Sequence, residues 1–209
     1  MSTSGTMSLG PGAGSGGERL TAAERRTALL DVALDILVHA GEAAITVGTV
    51  AAKADVTRAL VYKHFENRDD LIIELHRREA ERLDGEIIDR VSRAPSGFEP
   101  KFRAMVLGLL DSVDRWGTIF NPLRHTAAGA VGRREQRTRD RRAVAYFARL
   151  ATHDFELGEA DASRAVRVLL GGLDPLMSMV RPDATAEEKV ALADLYVGMT
   201  VDALRGLAP

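Results

Sequence analysis

From residue 21 onward, apolar residues recur three and four positions apart, the spacing of one helical face. Leu30, Ala33, Leu34, Leu37 and Val38 form the first such stripe. Thr21 with Glu24 reads as a capping box at its start, and Gly41 as its stop, which predicts a helix over 21–40. Thr46 caps a short helix to Ala54, and Thr57 caps another to His64, with Asp55 in the turn between them. A long helix follows from Arg68 to Ser92, closed by Ala94-Pro95-Ser96-Gly97. Further helices are expected over 100–116, 120–128, 133–155, 161–180 and 185–206, the last opened by a second box, Thr185 with Glu188. No alternating strand pattern and no internal repeat is visible. The expected class is all-α, about nine helices: an N-terminal three-helix helix-turn-helix domain, then a C-terminal helical domain.

Residues 1–18 are rich in Gly, Ser and Thr and nearly free of apolar residues. They cannot bury enough surface to offset the entropy of ordering, so a disordered tail is expected. The domains are therefore read as 1–18 tail, 19–67 helix-turn-helix and 68–209 C-terminal helical domain. The tail also lacks the apolar stretch of a signal peptide and the Arg/Lys cluster of a DNA-reaching arm.

The informative segment runs from Thr46 to Phe65. Two short helices at a steep angle need a tight turn, and Asp55 tolerates the left-handed conformation better than most residues. Val56 plugs the angle, and small Ala51 lets the helices approach. Val50 and Val61 face a core shared with Leu34 and Leu37. Thr57 leaves the N–H groups and positive dipole end of the third helix directed outward, towards a phosphate or base edge. On that helix Arg58, Ala59, Leu60, Tyr62 and Lys63 are expected to be exposed. Arg58 can pair bidentately with guanine, and Ala59 and Leu60 can pack on thymine methyls. Tyr62, Lys63 and His64 can reach phosphates, which position a protein without reading sequence.

These residues resemble the tetracycline-repressor (TetR) family from Arg25 to Leu71. Matching positions are Leu30, Ala33, Gly41, Thr46, Val50-Ala51, Val56-Thr57, Tyr62, His64-Phe65, Arg68 and Leu71; the run Tyr62-Lys-His-Phe65 followed by Asn67-Arg-Asp-Asp-Leu71 is the most specific. The resemblance implies that Thr46, Tyr62, Lys63 and His64 touch the DNA backbone, that Arg58, Ala59 and Leu60 read bases, and that Arg68 touches a phosphate. It also implies a two-fold bundle of the last two long helices and an effector pocket among the middle helices. Three positions depart from the pattern. Asp55 replaces the usual turn Gly, Leu60 a small or polar residue, and Gly48 leaves the second helix bare where some members contact DNA.

Composition narrows the picture. The chain has 209 residues, formal net charge −2, 45% hydrophobic and 28% charged residues, and no Cys. Disulfides and cysteine-bound metals are excluded, and the cytoplasm is the simplest compartment. No run is long enough to span a bilayer. Net charge this close to zero does not suit bulk DNA coating, so DNA must be held by a few placed cations. One copy offering Arg58, Lys63 and Arg68 makes too few contacts for the affinities of about 10⁻⁸–10⁻¹¹ M typical of regulators. A two-fold homodimer on a roughly palindromic double-stranded operator makes up the shortfall.

In the C-terminal half, Leu169, Leu173, Leu176 and Met177 share one face and Leu192, Leu195, Tyr196 and Met199 another. Gly171-Gly172 would allow close approach at the two-fold, and Asp174-Pro175 should kink or break its helix. For a small, largely apolar effector the candidate pocket residues are Met105, Leu109, Trp116, Phe120, His125, Tyr146, Phe147 and Met177. Arg133, Arg137 and Arg141 read first as a solvated face, with Glu135 and Arg139 as an i,i+4 pair. The sharper alternative is an anion site for the phosphates of an acyl-CoA-type effector. No Gly-rich phosphate loop, metal-binding His pair or nucleophile motif is present, and His39, His64, His76, His125 and His153 are scattered. No enzyme, cofactor or metal site is expected. The expected function is a DNA-binding regulator, a repressor released by its effector. The alternatives are an activator or non-sensing regulator of this fold, and a dimeric ligand-binding or scaffold protein whose helix-turn-helix only packs.

Overall fold

The computed structural model describes residues 20–113, 127–181 and 183–208, with backbone alone over 127–136. Nine α-helices are present among the described residues: α1 Ala22–Ala40, α2 Val47–Lys53, α3 Arg58–His64, α4 Arg68–Arg93, α5 Phe98–Asp111, α6 Ala127–Phe155, α7 Glu159–Gly171, α8 Leu173–Ser178 and α9 Ala186–Arg205. A single 3₁₀ turn, Glu42–Ala44, joins α1 to α2. The all-α class read from the periodicity holds among these residues. The expected tail and most of the expected 120–128 helix lie outside them.

The capping signals act as read. The Thr21 N–H donates to Glu24 Oε2 at 2.8 Å, and the Glu24 N–H donates to Thr21 Oγ1 at 3.2 Å. Thr185 and Glu188 repeat the pair at 2.8 and 3.2 Å at the head of α9. Each box satisfies two of the N–H groups a helix start leaves without partners.

Two apolar cores divide the chain. The first gathers Leu30, Ala33 and Leu37 of α1, Val50 of α2, Val61 of α3, and α4 from Leu71 through Leu83. The second gathers Phe98 and Phe102 of α5, Phe147 of α6, Val166 of α7 and Val197 and Leu204 of α9. Its centre is aromatic: Phe98 stacks on Phe102 at 5.1 Å, and Phe147 meets Phe102 edge-on at 5.4 Å. Ile87 of α4 packs against both cores and Val91 against the second. The 26-residue α4 is therefore the beam joining them. Its far half is also held by Asp84 to Arg139 at 3.2 Å and Arg90 to Asp111 at 2.9 Å. Arg139 thus reaches across to α4; the side chain of Glu135, its expected i,i+4 partner, lies outside the described residues.

Three helix expectations are corrected. The 133–155 helix begins at Ala127, passing through Gly129 and Gly132. A helix-interior Gly costs about 1 kcal/mol, which the long helix carries through its packing on α4 and α7. The 161–180 helix is two helices, and the break falls at Gly172 rather than at Asp174-Pro175. Pro175 then occupies the first turn of α8, where its missing N–H is not needed. Gly172 serves the protomer interior instead of a two-fold contact: a Cβ there would stand 2.5 Å from Tyr196 Oη, which donates to Leu169 O. Gly171 faces open space.

Candidate nucleic-acid interface

The helix-turn-helix is built from its caps outward. Thr46 and Thr49 form a reciprocal box: the Thr46 N–H donates to Thr49 Oγ1 at 2.9 Å, and the Thr49 N–H to Thr46 Oγ1 at 3.0 Å. Thr49 Oγ1 lies 2.7 Å from Ala44 O, fastening α2 to the preceding turn. After α2 the chain reverses at Asp55, whose φ of 52° is left-handed, and the Val56 N–H donates to Ala51 O at 3.0 Å. A residue tolerant of positive φ was the requirement, and Asp meets it without Gly. Thr57 then caps α3 by accepting from the Leu60 N–H at 3.3 Å.

The apolar side of α3 is Val61, fully buried, with Phe65 just beyond it. The opposite side presents Arg58, Ala59, Tyr62 and Lys63 to solvent, Tyr62 being 55% exposed. Leu60 and His64 are half-buried, so Leu60 offers less surface than its expected place on the reading face suggested. Thr46 and Thr57 are exposed at the helix starts. Among the described residues no carboxylate pairs with Arg58 or Lys63, which leaves two cations on one face. Lys53 of α2 is different: it is tied to Asp35, and that bond holds the Asp35 carboxyl below its ordinary range.

Arg58 does not extend along its own helix axis. Its guanidinium lies on α2 over Gly48, where a Cβ would come within 3.0 Å of Nη2 and 3.3 Å of Cζ and Nε. Arg68 also turns inward. Its Nε donates to Ile45 O at 2.7 Å, and its Nη2 donates to Glu42 O at 2.9 Å and Glu42 Oε1 at 3.0 Å. The start of α4 is thereby bracketed to the turn that leads into α2.

The head is locked to α4 by further charge. Arg26 pairs with Glu74 at 2.5 Å and lies 5.0 Å above the Phe65 ring. Arg78 of α4 donates to Asp31 at 2.7 Å. A displacement of α4 along its axis would therefore carry α1, and with it α3.

The expected effector residues divide. Met105, Phe147 and Met177 are buried in the second core, with Leu109 and Tyr146 packed against it. Trp116, Phe120 and His125 lie outside the described residues, as does the side chain of Arg133; Arg137 and Arg141 are exposed. A groove of about 530 Å³ opens elsewhere, between the α5 start and the α6 and α9 ends, lined by Ser96, Pro100, Asp154, Glu156 and Arg205. It contains none of the expected pocket residues. The Arg58 guanidinium over Gly48, the Arg68 bracket and the Tyr196 bond have no signal in the local sequence beyond the bare Gly48 itself.

Residues 29–75 match the model for bacterial regulatory proteins of the tetR family. No curated protein matches the sequence. The fold is shared with solved structures at low identity. A Pseudomonas aeruginosa PAO1 protein assigned as a transcriptional regulator aligns at TM-score 0.72 and 21% identity, covering 90% of this chain and 96% of its own. A TetR-like transcriptional regulator from Rhodococcus sp. RHA1 aligns at 0.67 and 22%, covering 90% and 100%. The fatty acid degradation regulator FadR from Bacillus halodurans aligns at 0.65 and 15%, covering 88% and 96%. Fold and helix-turn-helix together define an all-helical architecture with an N-terminal helix-turn-helix, the fold of these solved transcriptional regulators. The stretch that is similar to the tetR family of bacterial regulatory proteins is thus the helix-turn-helix region, from α1 into α4. No described helix is long and apolar enough to cross a membrane.

Proposed function

We propose that the protein is a homodimeric repressor that binds a two-fold operator through α3 and leaves it when a small, largely apolar effector binds the C-terminal domain. The observation that carries the proposal is the outer face of α3: Arg58, Ala59, Tyr62 and Lys63 are exposed, while Val61 on the opposite side is fully buried. Among the described residues Arg58 and Lys63 have no carboxylate partner, so this side of α3 offers two cations and an aromatic hydroxyl to an anionic ligand. In this reading residues 19–67 form the operator-binding domain and 68–209 the sensing and dimerisation domain. Arg58, Ala59 and Leu60 read bases; Thr46, Thr57, Tyr62, Lys63 and His64 hold phosphates.

Dimerisation is supported by apolar surface on the helices at the chain's end. Val168 of α7, Leu195 and Met199 of α9 and nearby Met179 are 76, 62, 64 and 67% exposed. Gly171 and Gly198 have nothing within 4 Å of a built Cβ. Such surface on two long helices suits a second copy of the same chain. Effector release would act as a population shift, the effector favouring a spacing of the two heads that the operator does not. Met105, Leu109, Tyr146, Phe147 and Met177, with Trp116, Phe120 and His125, remain the residues proposed to meet it.

The test is binding of the full-length chain to duplex from its own promoter region, with and without Tyr62→Ala and Lys63→Ala. Both variants are expected to weaken binding to all duplexes, and Lys63→Ala to lower the salt slope by about one unit. Wild-type affinity in both would favour a scaffold whose helix-turn-helix only packs.

A further inference from the structure

Gly48 and Arg58 belong to different helices, yet they form one unit. The guanidinium of Arg58 fills the space that any side chain at 48 would take, with Nη2 at 3.0 Å and Cζ and Nε both at 3.3 Å from a Cβ built there. A Cβ at these distances is tighter than such contacts normally run, so the neighbour must give by a few tenths of an ångström, and the group that yields is the far end of a flexible side chain rather than the backbone. The missing side chain of Gly48 therefore leaves a seat on α2 that a planar, delocalised cation occupies.

We infer that Gly48 is a specificity-determining residue: its lack of a side chain sets where Arg58 presents its two-pronged donor edge, and hence which base pair that donor reads. The inference rests on the operator reading above. A bidentate donor distinguishes guanine only if both N–H groups meet O6 and N7 together. An arginine has several rotatable bonds, and a surface that holds the guanidinium in one place lowers the cost of ordering it on DNA. Gly48 supplies that surface from α2, so the reading group of α3 is aimed from its neighbour. This also accounts for a contact otherwise missing: where α2 carries no side chain of its own, the end of Arg58 stands in that place.

Gly48 lies inside α2, has no positive φ, and the atoms nearest a Cβ built there all belong to the Arg58 side chain. Gly48→Ala should therefore fold as well as wild type, and an effect on DNA cannot be ascribed to damage. The experiment is selection from a randomised double-stranded DNA library by full-length wild type, Gly48→Ala, Arg58→Ala and the double variant, with thermal melting of each. Wild type should enrich a two-fold motif. Arg58→Ala should relax one base pair per half-site by about fivefold to a hundredfold. Gly48→Ala should relax or move preference at that same pair, and the double variant should match Arg58→Ala alone, because the two residues act as one. An unchanged Gly48→Ala motif, or loss at a pair Arg58→Ala does not touch, overturns the inference while leaving operator binding intact. A wild-type selection with no motif overturns the operator reading itself, and the seat with it.

Discussion

Arg68 separates two roles that a surface cation at the start of α4 could play. Its position resembles that of a family phosphate contact, but its Nε and Nη2 make three hydrogen bonds to the Glu42–Ile45 turn at 2.7, 2.9 and 3.0 Å. Arg68→Ala removes all three and leaves the Ile45 carbonyl, on a fully buried residue, without this donor. A hydrogen bond to a charged group contributes about 1.5–3 kcal/mol where it is sheltered. The Arg68 side chain is 36% exposed and the Glu42 side chain 19%, so water and screening recover much of that. For the bracket as a whole a loss of about 2 kcal/mol is reasonable. In a protein of this size that lowers Tm by roughly 4–8 °C. Arg68→Lys keeps the charge but cannot span two carbonyls and a carboxylate with one ammonium, so it should recover less than half of the loss. Thermal melting of free protein, followed by circular dichroism at 222 nm, reads the effect without DNA. A Tm unchanged to within about 1 °C in both variants would refute the bracket, particularly if Arg68→Ala then lowered the DNA salt slope by about one unit as a phosphate contact does.

Other expectations follow from single sites. Gly172→Ala puts a Cβ 2.5 Å from Tyr196 Oη and should cost about 1–3 kcal/mol in denaturant unfolding, and Tyr196→Phe should relieve part of it when combined. Gly85, inside α4 near Ile87, has nothing within 4 Å of a built Cβ, so Gly85→Ala should stabilise by up to about 1 kcal/mol, read as a raised denaturation midpoint. Asp154 accepts from the Phe98 N–H at 2.6 Å and caps α5; burial pushes its carboxyl up, but His153 and that N–H outweigh burial and hold it below the ordinary value. Because the folded pKa lies below the unfolded one, this contribution is complete above pH of about 4 and fades as pH falls further. The stability gap between wild type and Asp154→Asn should shrink on acidification in urea titrations, and a gap independent of pH would contradict the assignment.

Much of the head was legible because its rules are local. Thr21 with Glu24, Thr46, Thr57 and the left-handed Asp55 each act within four residues, and helical spacing marked the buried stripe of α1. What escaped depends on distant partners. Nothing near Arg68 announces that its guanidinium turns towards Glu42, 26 positions away. Gly48 could be seen as bare, but what fills its place comes from α3. The break at Gly172 was placed at Pro175, the residue that most offends a helix, whereas the chain breaks earlier so that Pro175 falls in a first turn. The candidate effector residues on α5, α6 and α8 were chosen as apolar positions of the middle helices, and those described are core residues; periodicity separates buried from exposed faces, and it does not separate a core from a cavity.

The central claim is that α3 holds operator DNA, two chains to a site. Its most direct test is fluorescence anisotropy of full-length protein on a labelled promoter duplex, titrated at two salt concentrations beside Tyr62→Ala and Lys63→Ala. The account predicts saturable binding by two chains per duplex, with Kd in the range of about 10⁻⁸–10⁻¹¹ M, weakened by both substitutions and by salt. Binding that matched wild type in both variants, or no saturable binding to any duplex, would contradict it.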